Sequence, residues 1–181
     1  TIFGSSDKGW YDAKPMTPED YKACIFHAQK KVGDTGFLSN IIENHDEPRG
    51  VSRYIPKADL SDKNKKALAA VYFFLRGIPF IYQGQEIGME NCAFPDIDAY
   101  DDISTLDDYR VCLDAGCTKE QALELAHRFS RDNARTPVQW SDDKYAGFST
   151  QEPWLMVNPD YKEINVKKQE KEPDSELAFF K

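Results

Sequence analysis

The sequence lacks any long apolar run, which excludes one class of protein at the outset. No stretch of its 181 residues is long and apolar enough to cross a bilayer. No signal peptide is recognisable either. We therefore expect a cytoplasmic protein that has no membrane partner.

Basic residues are in the minority. Lys and Arg number 23 against 31 Asp and Glu, which gives a formal net charge of −8. Because proteins bind nucleic-acid phosphates through basic faces, this balance argues against a nucleic-acid partner and fits a neutral or cationic ligand. The 40% of hydrophobic and 13% of aromatic residues are sufficient for a packed core.

Metal-ligating residues are few and poorly spaced. Only Cys112 and Cys117 lie near each other among the four cysteines, and no histidine stands at ligand spacing beside them. We interpret the cysteines as reduced thiols, with disulfides as the alternative. The acidic segment "DIDAYDD" (96–102) lacks the Gly and distal Glu of an EF-hand loop, so we interpret it as solvated. We predict no metal and no cofactor.

Two helical patterns alternate with two apolar segments. Thr17 and Ser61 are good N-caps, and each is followed by a helical pattern that a glycine ends, Gly33 and Gly77 respectively. The buried face of the second helix is predicted to comprise Ala67, Leu68, Val71, Phe74 and Leu75. The segments "GFLSNII" (36–42) and "IPFIYQG" (78–84) are typical of buried strands. This order predicts an α/β fold, with a parallel sheet covered by helices.

Polar residues follow both predicted strands. Asn44, His45 and Asp46 come after the first, and Glu86 comes after the second. In parallel α/β folds the carboxyl ends of strands carry the functional site, so we take these residues as candidates. Asp46 has two interpretations from spacing alone, a turn or helix-cap residue and a carboxylate in a pocket. Adjacent residues of an extended chain point to opposite faces, which makes a metal site at His45 and Asp46 improbable.

The region from Gly88 to Glu172 is too long for an ordinary connection and must carry structure of its own. The segments "ISTLDDYRVCLDAG" and "TKEQALELAHRFS" have helical patterns, and Thr118 caps the second. Arg131 and Arg135 follow; they are either solvated cations or a pair that binds a carboxylate. The later aromatic residues either stack on sugars or pack within the loop. Packing is our interpretation for Phe148, and for Trp140 and Trp154 both interpretations stay open.

Four segments together resemble one known family. "ENHDEPR" resembles the last catalytic block of glycoside hydrolase family 13, the alpha-amylase superfamily, and "GIPFIYQGQEIGM" is similar to its eighth barrel strand and the turn that follows. "SRDNARTPVQW" and "GFSTQEPWLMVNPDYKEINV" resemble the oligo-1,6-glucosidase and alpha-glucosidase branch. The resemblance covers nearly the whole chain.

This resemblance implies a (β/α)8 barrel and a retaining glycosidase. The family uses an Asp nucleophile, a Glu acid/base and a second Asp that stabilises the transition state. Asp46 matches that stabilising Asp, His45 matches a histidine that contacts sugar hydroxyls, and Arg131 and Arg135 match the arginine block beside the same subsite. Asn44, Glu86 and Ser104 are further candidates.

The resemblance also defines the extent of the chain. Residues 1–181 correspond to a partial catalytic domain, about units six to eight of the barrel, and residues 84–172 form a long helical loop on the substrate side after strand eight. The chain begins at Thr1 without Met, and a helix start near Ser175 has no end before Lys181. We therefore expect a fragment that is inactive alone and whose partner is the remainder of the barrel.

The implied function is that of an exo-acting alpha-glucosidase for alpha-1,6 or short alpha-1,4 gluco-oligosaccharides. The alternatives within the family are trehalose-6-phosphate hydrolase, dextran glucosidase and sucrose isomerase. A non-catalytic barrel that binds a protein partner is the alternative of another class. One departure concerns Ser104 in "DDISTLDD", which stands where the oligo-1,6-glucosidases carry a Glu associated with the aglycone side.

Overall fold

The longer helices begin at residues whose side chains cap them. The fold is given by a computed structural model that describes residues 6–14 and 16–181. The first helix starts after Thr17, which exchanges side-chain and backbone hydrogen bonds with Asp20 in a capping box. Ser61 caps the third helix, and Thr118 forms a second capping box with Gln121. The predicted helix starts are therefore confirmed.

The regular elements in chain order are α1 (Pro18–Val32), β1 (Ser39–Asn40), α2 (Gly50–Tyr54), α3 (Asp62–Phe73), β2 (Ile78–Pro79), α4 (Ile103–Asp114), α5 (Lys119–Phe129), α6 (Asp132–Arg135), α7 (Val166–Gln169) and α8 (Glu176–Phe180). A short 3-10 turn at Trp10–Asp12 precedes them, and others lie between them at Lys57–Asp59, Gln85–Ile87, Ile97–Ala99, Lys144–Gly147 and Pro159–Lys162. No helix of residues 6–14 and 16–181 has the length and apolarity needed to cross a membrane.

The two strands are parallel, as predicted, but much shorter than the apolar segments that contain them. Ser39 pairs with Ile78 and Asn40 pairs with Pro79. Proline has no amide hydrogen to donate, which limits the ladder on the β2 side. The prediction that both segments are buried is wrong, since Phe37, Ile78, Phe80 and Ile81 are half or more exposed, although Ile42 is buried. Within the described residues, no third strand covers them.

The third helix ends earlier than predicted and buries a different face. It stops at Phe73, and Gly77 lies instead in the turn that leads into β2. A side chain at Gly77 would collide with the Leu38 carbonyl, and its φ of 144° also favours glycine. The buried residues of α3 are Lys65, Ala69 and Tyr72, whereas Phe74 of the predicted face is 87% exposed.

The main apolar cluster lies in the second half of the chain. Its buried members are Cys92, Phe94, Tyr100, Ala126 and Leu155, and Trp10 and Leu106 pack against it from outside. The helices α4 and α5 pack on each other and confirm the helical structure predicted after Gly88. This cluster fixes the loops that follow β2 against the N-terminal turn.

A buried ionic group joins α3, the loop after β2 and α8. The Lys65 ammonium donates to the Gly88 carbonyl (3.1 Å) and pairs with the Glu90 carboxylate (2.9 Å). The Glu176 carboxylate packs against Gly88, where no side chain would fit. Burial raises the pKa of Glu176 to about 7, although the charge of Lys65 acts in the opposite direction.

We expect Glu176→Gln to stabilise the chain above neutral pH. An acid whose pKa is raised by folding weakens the native state as pH rises from its unfolded pKa, 4.5, to its folded pKa, about 7. The substitution removes a cost of up to about 3 kcal/mol at pH 8 and almost none at pH 4. Urea unfolding between pH 4 and 8 measures this. Glu172→Gln, at an exposed position on the same surface, is the control, and an equal effect of both variants would contradict the prediction.

Candidate active site

The residues after β1 turn back sharply, so that His45 and Asp46 face the same way. The Asp46 amide donates to the Asn44 side-chain oxygen (2.7 Å), which closes an Asx turn. His45 Nε2 then lies 3.3 Å from Asp46 Oδ2, and both side chains are more than half exposed. Asn44 thus shapes the loop. The opposite orientation expected of an extended chain does not hold here, because the chain is turned at this point.

Both arginines reach Asp46. Arg131 Nη1 and Arg135 Nη2 lie 3.2 and 3.3 Å from the same oxygen, Asp46 Oδ1. Arg135 Nε also donates to the His45 carbonyl (3.0 Å). The two residues share a face because Arg131 directly precedes α6 and Arg135 ends it, four positions later. The structure therefore brings Asp46, His45 and both arginines together beyond the carboxyl ends of β1 and β2.

Asp102 is the component of this cluster that the sequence reasoning missed. Its carboxylate binds Arg131 through two contacts, Oδ1 to Nη2 at 2.5 Å and Oδ2 to Nε at 3.3 Å. It also lies 3.5 Å from Arg135 Nη1 and caps α4 by accepting from the Thr105 amide. The interpretation of 96–102 as a solvated loop is wrong for Asp102, which is 5% exposed. Its position directly before a helical pattern was the available signal.

The charge of Asp102 is stabilised by these partners. Burial alone would raise its pKa, but the hydrogen bonds from Arg131 and Thr105 outweigh burial, and the pKa of Asp102 is lowered. Asp132 supports the same loop, since its Oδ2 accepts from the amides of Asp101 and Asp102, both at 2.8 Å. The other oxygen of Asp132 is buried and faces Arg135 at 3.5 Å.

Ser104 borders the cluster, whereas Glu86 does not join it. The Ser104 hydroxyl accepts from Arg131 Nη2 at 3.1 Å, and the residue is exposed. Glu86 lies in the turn Gln85–Ile87, and its Oε2 is buried without a hydrogen-bond partner in the described chain. Across residues 6–14 and 16–181, no group of His, Cys, Asp and Glu side chains has metal-binding geometry.

The later aromatic residues are accessible. Trp140 and Phe148 are about half exposed and Trp154 is 69% exposed. Phe148, which was interpreted as a packing residue, buries only about half of its side chain. Its neighbour Ala146 is fully buried instead and accepts backbone hydrogen bonds from Trp140 and Ser141.

A fully buried arginine holds the loop of Asp46 in place. Arg49, three residues after Asp46, pairs with Glu43 through Nη1 and Oε1 at 3.1 Å, and both side chains are at most 1% exposed. The second Glu43 oxygen accepts from the Gly50 amide at 2.5 Å. Burial raises the pKa of Glu43, while the guanidinium and this amide favour its charged form.

The remaining contacts of Arg49 extend to two other loops. Nη1 donates to the Gln83 carbonyl after β2 (2.7 Å), and Nε donates to the Asn133 carbonyl in α6 (3.3 Å). The Arg49 amide donates to Asn91 Oδ1 (2.9 Å). Because Asn133 lies between Arg131 and Arg135, Arg49 fixes the arginine segment relative to both strand ends.

Comparisons with known proteins agree with this architecture. The family model of the alpha-amylase catalytic domain matches residues 2–181. An oligo-1,6-glucosidase from Halalkalibacterium halodurans is 44% identical over 92% of this chain and 30% of its own length. An oligo-1,6-glucosidase from Bacillus cereus is 42% identical over 98% of this chain and 32% of its own length. The crystal structure of isomaltulose synthase from Erwinia rhapontici NX5 matches with a TM-score of 0.87 at 35% identity, over 96% of this chain and 31% of that chain.

The chain belongs to the alpha-amylase family and forms part of a barrel-type catalytic domain of that family. The family resemblance found in the sequence motifs is thereby confirmed. The chain spans about a third of the length of the curated relatives it matches.

We expect Arg49→Met to lower the free energy of unfolding by about 3–5 kcal/mol, because it leaves the Glu43 carboxylate buried without its cation. The double variant Glu43→Gln/Arg49→Met should recover part of this loss. Urea unfolding at neutral pH measures both. The matched control is Arg110→Met, which removes an exposed pair with Asp107 and should cost less than about 1 kcal/mol. Equal losses for the Arg49 and Arg110 variants would contradict the assigned role of the buried pair.

Proposed function

We propose that the chain is part of a retaining, exo-acting alpha-glucosidase that acts on alpha-1,6 or short alpha-1,4 gluco-oligosaccharides in the cytoplasm. The observation that carries this proposal is the convergence of Asp46, His45, Arg131 and Arg135 at one rim of the fold. Family membership and the relatives named oligo-1,6-glucosidase support it. The reaction requires no cofactor and no metal.

The proposal includes a position for the chain in the barrel. We assign β1 and β2 to the seventh and eighth strands, residues 1–181 to about units six to eight, and residues 84–172 to the long helical loop after strand eight. The apolar side chains around the strands, including Phe37 and Phe80, support this assignment. In a closed barrel they would be covered by the remaining strands, whose residues are the proposed partner of this segment.

Asp46 would stabilise the transition state. Glycoside cleavage passes through an oxocarbenium-like state with positive charge at the ring carbon and ring oxygen. One Asp46 oxygen faces the two arginines, and the other faces only His45 among its described contacts. This second oxygen can accept hydrogen bonds from sugar hydroxyls and favour the flattened ring. The family places the nucleophile and the acid/base on earlier strands, so this segment would supply one of three catalytic carboxylates.

One alternative has a specific observation in its favour. The structural neighbour named isomaltulose synthase is 35% identical, which supports sucrose isomerisation as a second candidate. Measurement of the products formed from sucrose separates the two, because hydrolysis releases glucose and isomerisation does not. The trehalose-6-phosphate hydrolase and dextran glucosidase alternatives differ only in substrate. The intact Asp46 cluster argues against a non-catalytic scaffold.

We expect Asp46→Asn, in the longer protein that carries this segment, to lower kcat at least about 100-fold while KM changes far less. The reason is that the lost charge acts mainly in the transition state, and one such electrostatic interaction is worth about this factor. Steady-state kinetics on a nitrophenyl alpha-glucoside measures it. Asp101→Asn, at an exposed position, is the control. A raised KM at unchanged kcat would show that Asp46 only binds substrate.

We expect Ser104→Glu to change the preference between isomaltose and maltose. The new carboxylate would lie beside Arg131 and approach the leaving sugar, as the corresponding Glu of the oligo-1,6-glucosidases is expected to do. A hydrogen bond from a sugar hydroxyl to the new carboxylate is worth about 1 kcal/mol net, so the ratio of kcat/KM for the two disaccharides should shift roughly fivefold towards isomaltose. Ser104→Gln, similar in size but uncharged, is the control. The same ratio in all three proteins would place Ser104 away from the aglycone.

A further inference from the structure

The two arginines of the site are held between two carboxylates that differ in exposure. Arg131 directs Nε and Nη2 to Asp102 and Nη1 to Asp46. Arg135 directs Nη1 to Asp102 and Nη2 to Asp46. The Asp102 side chain is 3% exposed and that of Asp46 is 53% exposed. Each guanidinium therefore contacts the buried carboxylate of Asp102 and the accessible one of Asp46, and Arg135 also faces the buried Asp132.

The buried anchor is itself rigid. Asp102 Oδ2 accepts from the Thr105 amide (3.0 Å) and the Thr105 hydroxyl (2.9 Å), and the Asp102 amide donates to Asp132. A carboxylate that binds an arginine through two atoms fixes the plane of the guanidinium as well as its position. The orientation of Arg131 is thus set from the buried side, before any ligand approaches Asp46.

The balance of charges explains why this anchor matters. Three carboxylates, those of Asp46, Asp102 and Asp132, surround two guanidiniums, so the cluster carries one net negative charge. Without the charge of Asp102, Asp46 would be the one carboxylate left among the described partners of Arg131, whereas Arg135 would keep Asp132. Arg131 would move towards Asp46, and the second oxygen of Asp46 would become a partner of arginine instead of a group available to a sugar.

We propose that Asp102 is a positioning residue, which holds Arg131 and Arg135 so that Asp46 keeps one carboxylate oxygen free for the substrate. The proposal rests on the proposed function, in which Asp46 is the carboxylate that contacts the sugar. It assigns Asp102 a role through the arginines and not through contact with the substrate.

Asp102 also caps α4, and the substitution Asp102→Asn separates this capping role from the positioning role. Asparagine keeps an oxygen that can accept from the Thr105 amide, so the cap of α4 is retained while the charge is lost. Asp96→Asn is the matched control, since Asp96 caps the neighbouring turn Ile97–Ala99 in the same way and makes no described contact with the arginines.

The experiment is a double-mutant cycle between positions 102 and 46 in the full-length protein. The four proteins are the wild type, Asp102→Asn, Asp46→Asn and the double variant, with kcat/KM on a nitrophenyl alpha-glucoside and the Tm as readouts. We expect Asp102→Asn to lower kcat/KM about tenfold. It should also lower the Tm more than Asp96→Asn does, because Asp102 is buried and loses two ion pairs whereas Asp96 is exposed. When Asp102→Asn is added to the Asp46→Asn variant, kcat/KM should fall by less than about twofold, because the two positions act through the same arginines.

Glucose binding by calorimetry provides a readout that needs no turnover. The affinity for glucose should fall when Asp102→Asn is introduced into the wild-type protein. It should stay unchanged when the same substitution is added to the Asp46→Asn variant. Fully additive effects at the two positions, or a lower Tm with unchanged kcat/KM, would overturn the positioning role. If Asp102→Asn does not fold, Asp102→Glu replaces it, since the added methylene displaces the same charge. A wild type that neither binds glucose nor cleaves glucosides would instead refute the proposed function.

Discussion

The buried pair of Glu43 and Arg49 is the constraint on which the site depends. One guanidinium contacts the carboxylate before the Asp46 loop, the carbonyl of Gln83 after β2 and the carbonyl of Asn133 in the arginine segment. A charge removed from water needs full satisfaction of its donors, and here the acceptors come from two loops and the short helix α6. The energetic need to satisfy Arg49 therefore determines how those loops are arranged around one another.

The exposure of the side chains in the site increases over a short distance from Arg49 to Asp46. Arg49 is completely buried, Asp102 is nearly so, the two arginines are partly exposed and Asp46 is half exposed. Buried ionic contacts resist screening and hold their geometry, whereas exposed ones exchange readily with water or a ligand. The order of burial thus places the fixed contacts behind the carboxylate that is proposed to meet the sugar.

Local patterns in the sequence were sufficient for the starts of the longer helices and for the family, but not for burial or for contacts between distant segments. Thr17, Ser61 and Thr118 determine their helix starts through hydrogen bonds within four residues, so the starts of α1, α3 and α5 were predictable. The partners of Arg131 lie about 30 and 85 positions away, and no spacing rule encodes them. The burial of Lys65 and the exposure of Phe74 likewise depend on which segments pack against α3, which periodicity alone does not determine.

The buried pair also has an evolutionary consequence. Replacement of Arg49 or Glu43 alone leaves an uncompensated charge in the interior, so a lineage that exchanges one must pass through an unstable intermediate unless the other changes with it. Ser104 is exposed and makes one described side-chain contact, so it can change in a single step. Selection on substrate preference can therefore change Ser104 while the buried pair of Glu43 and Arg49 stays the same.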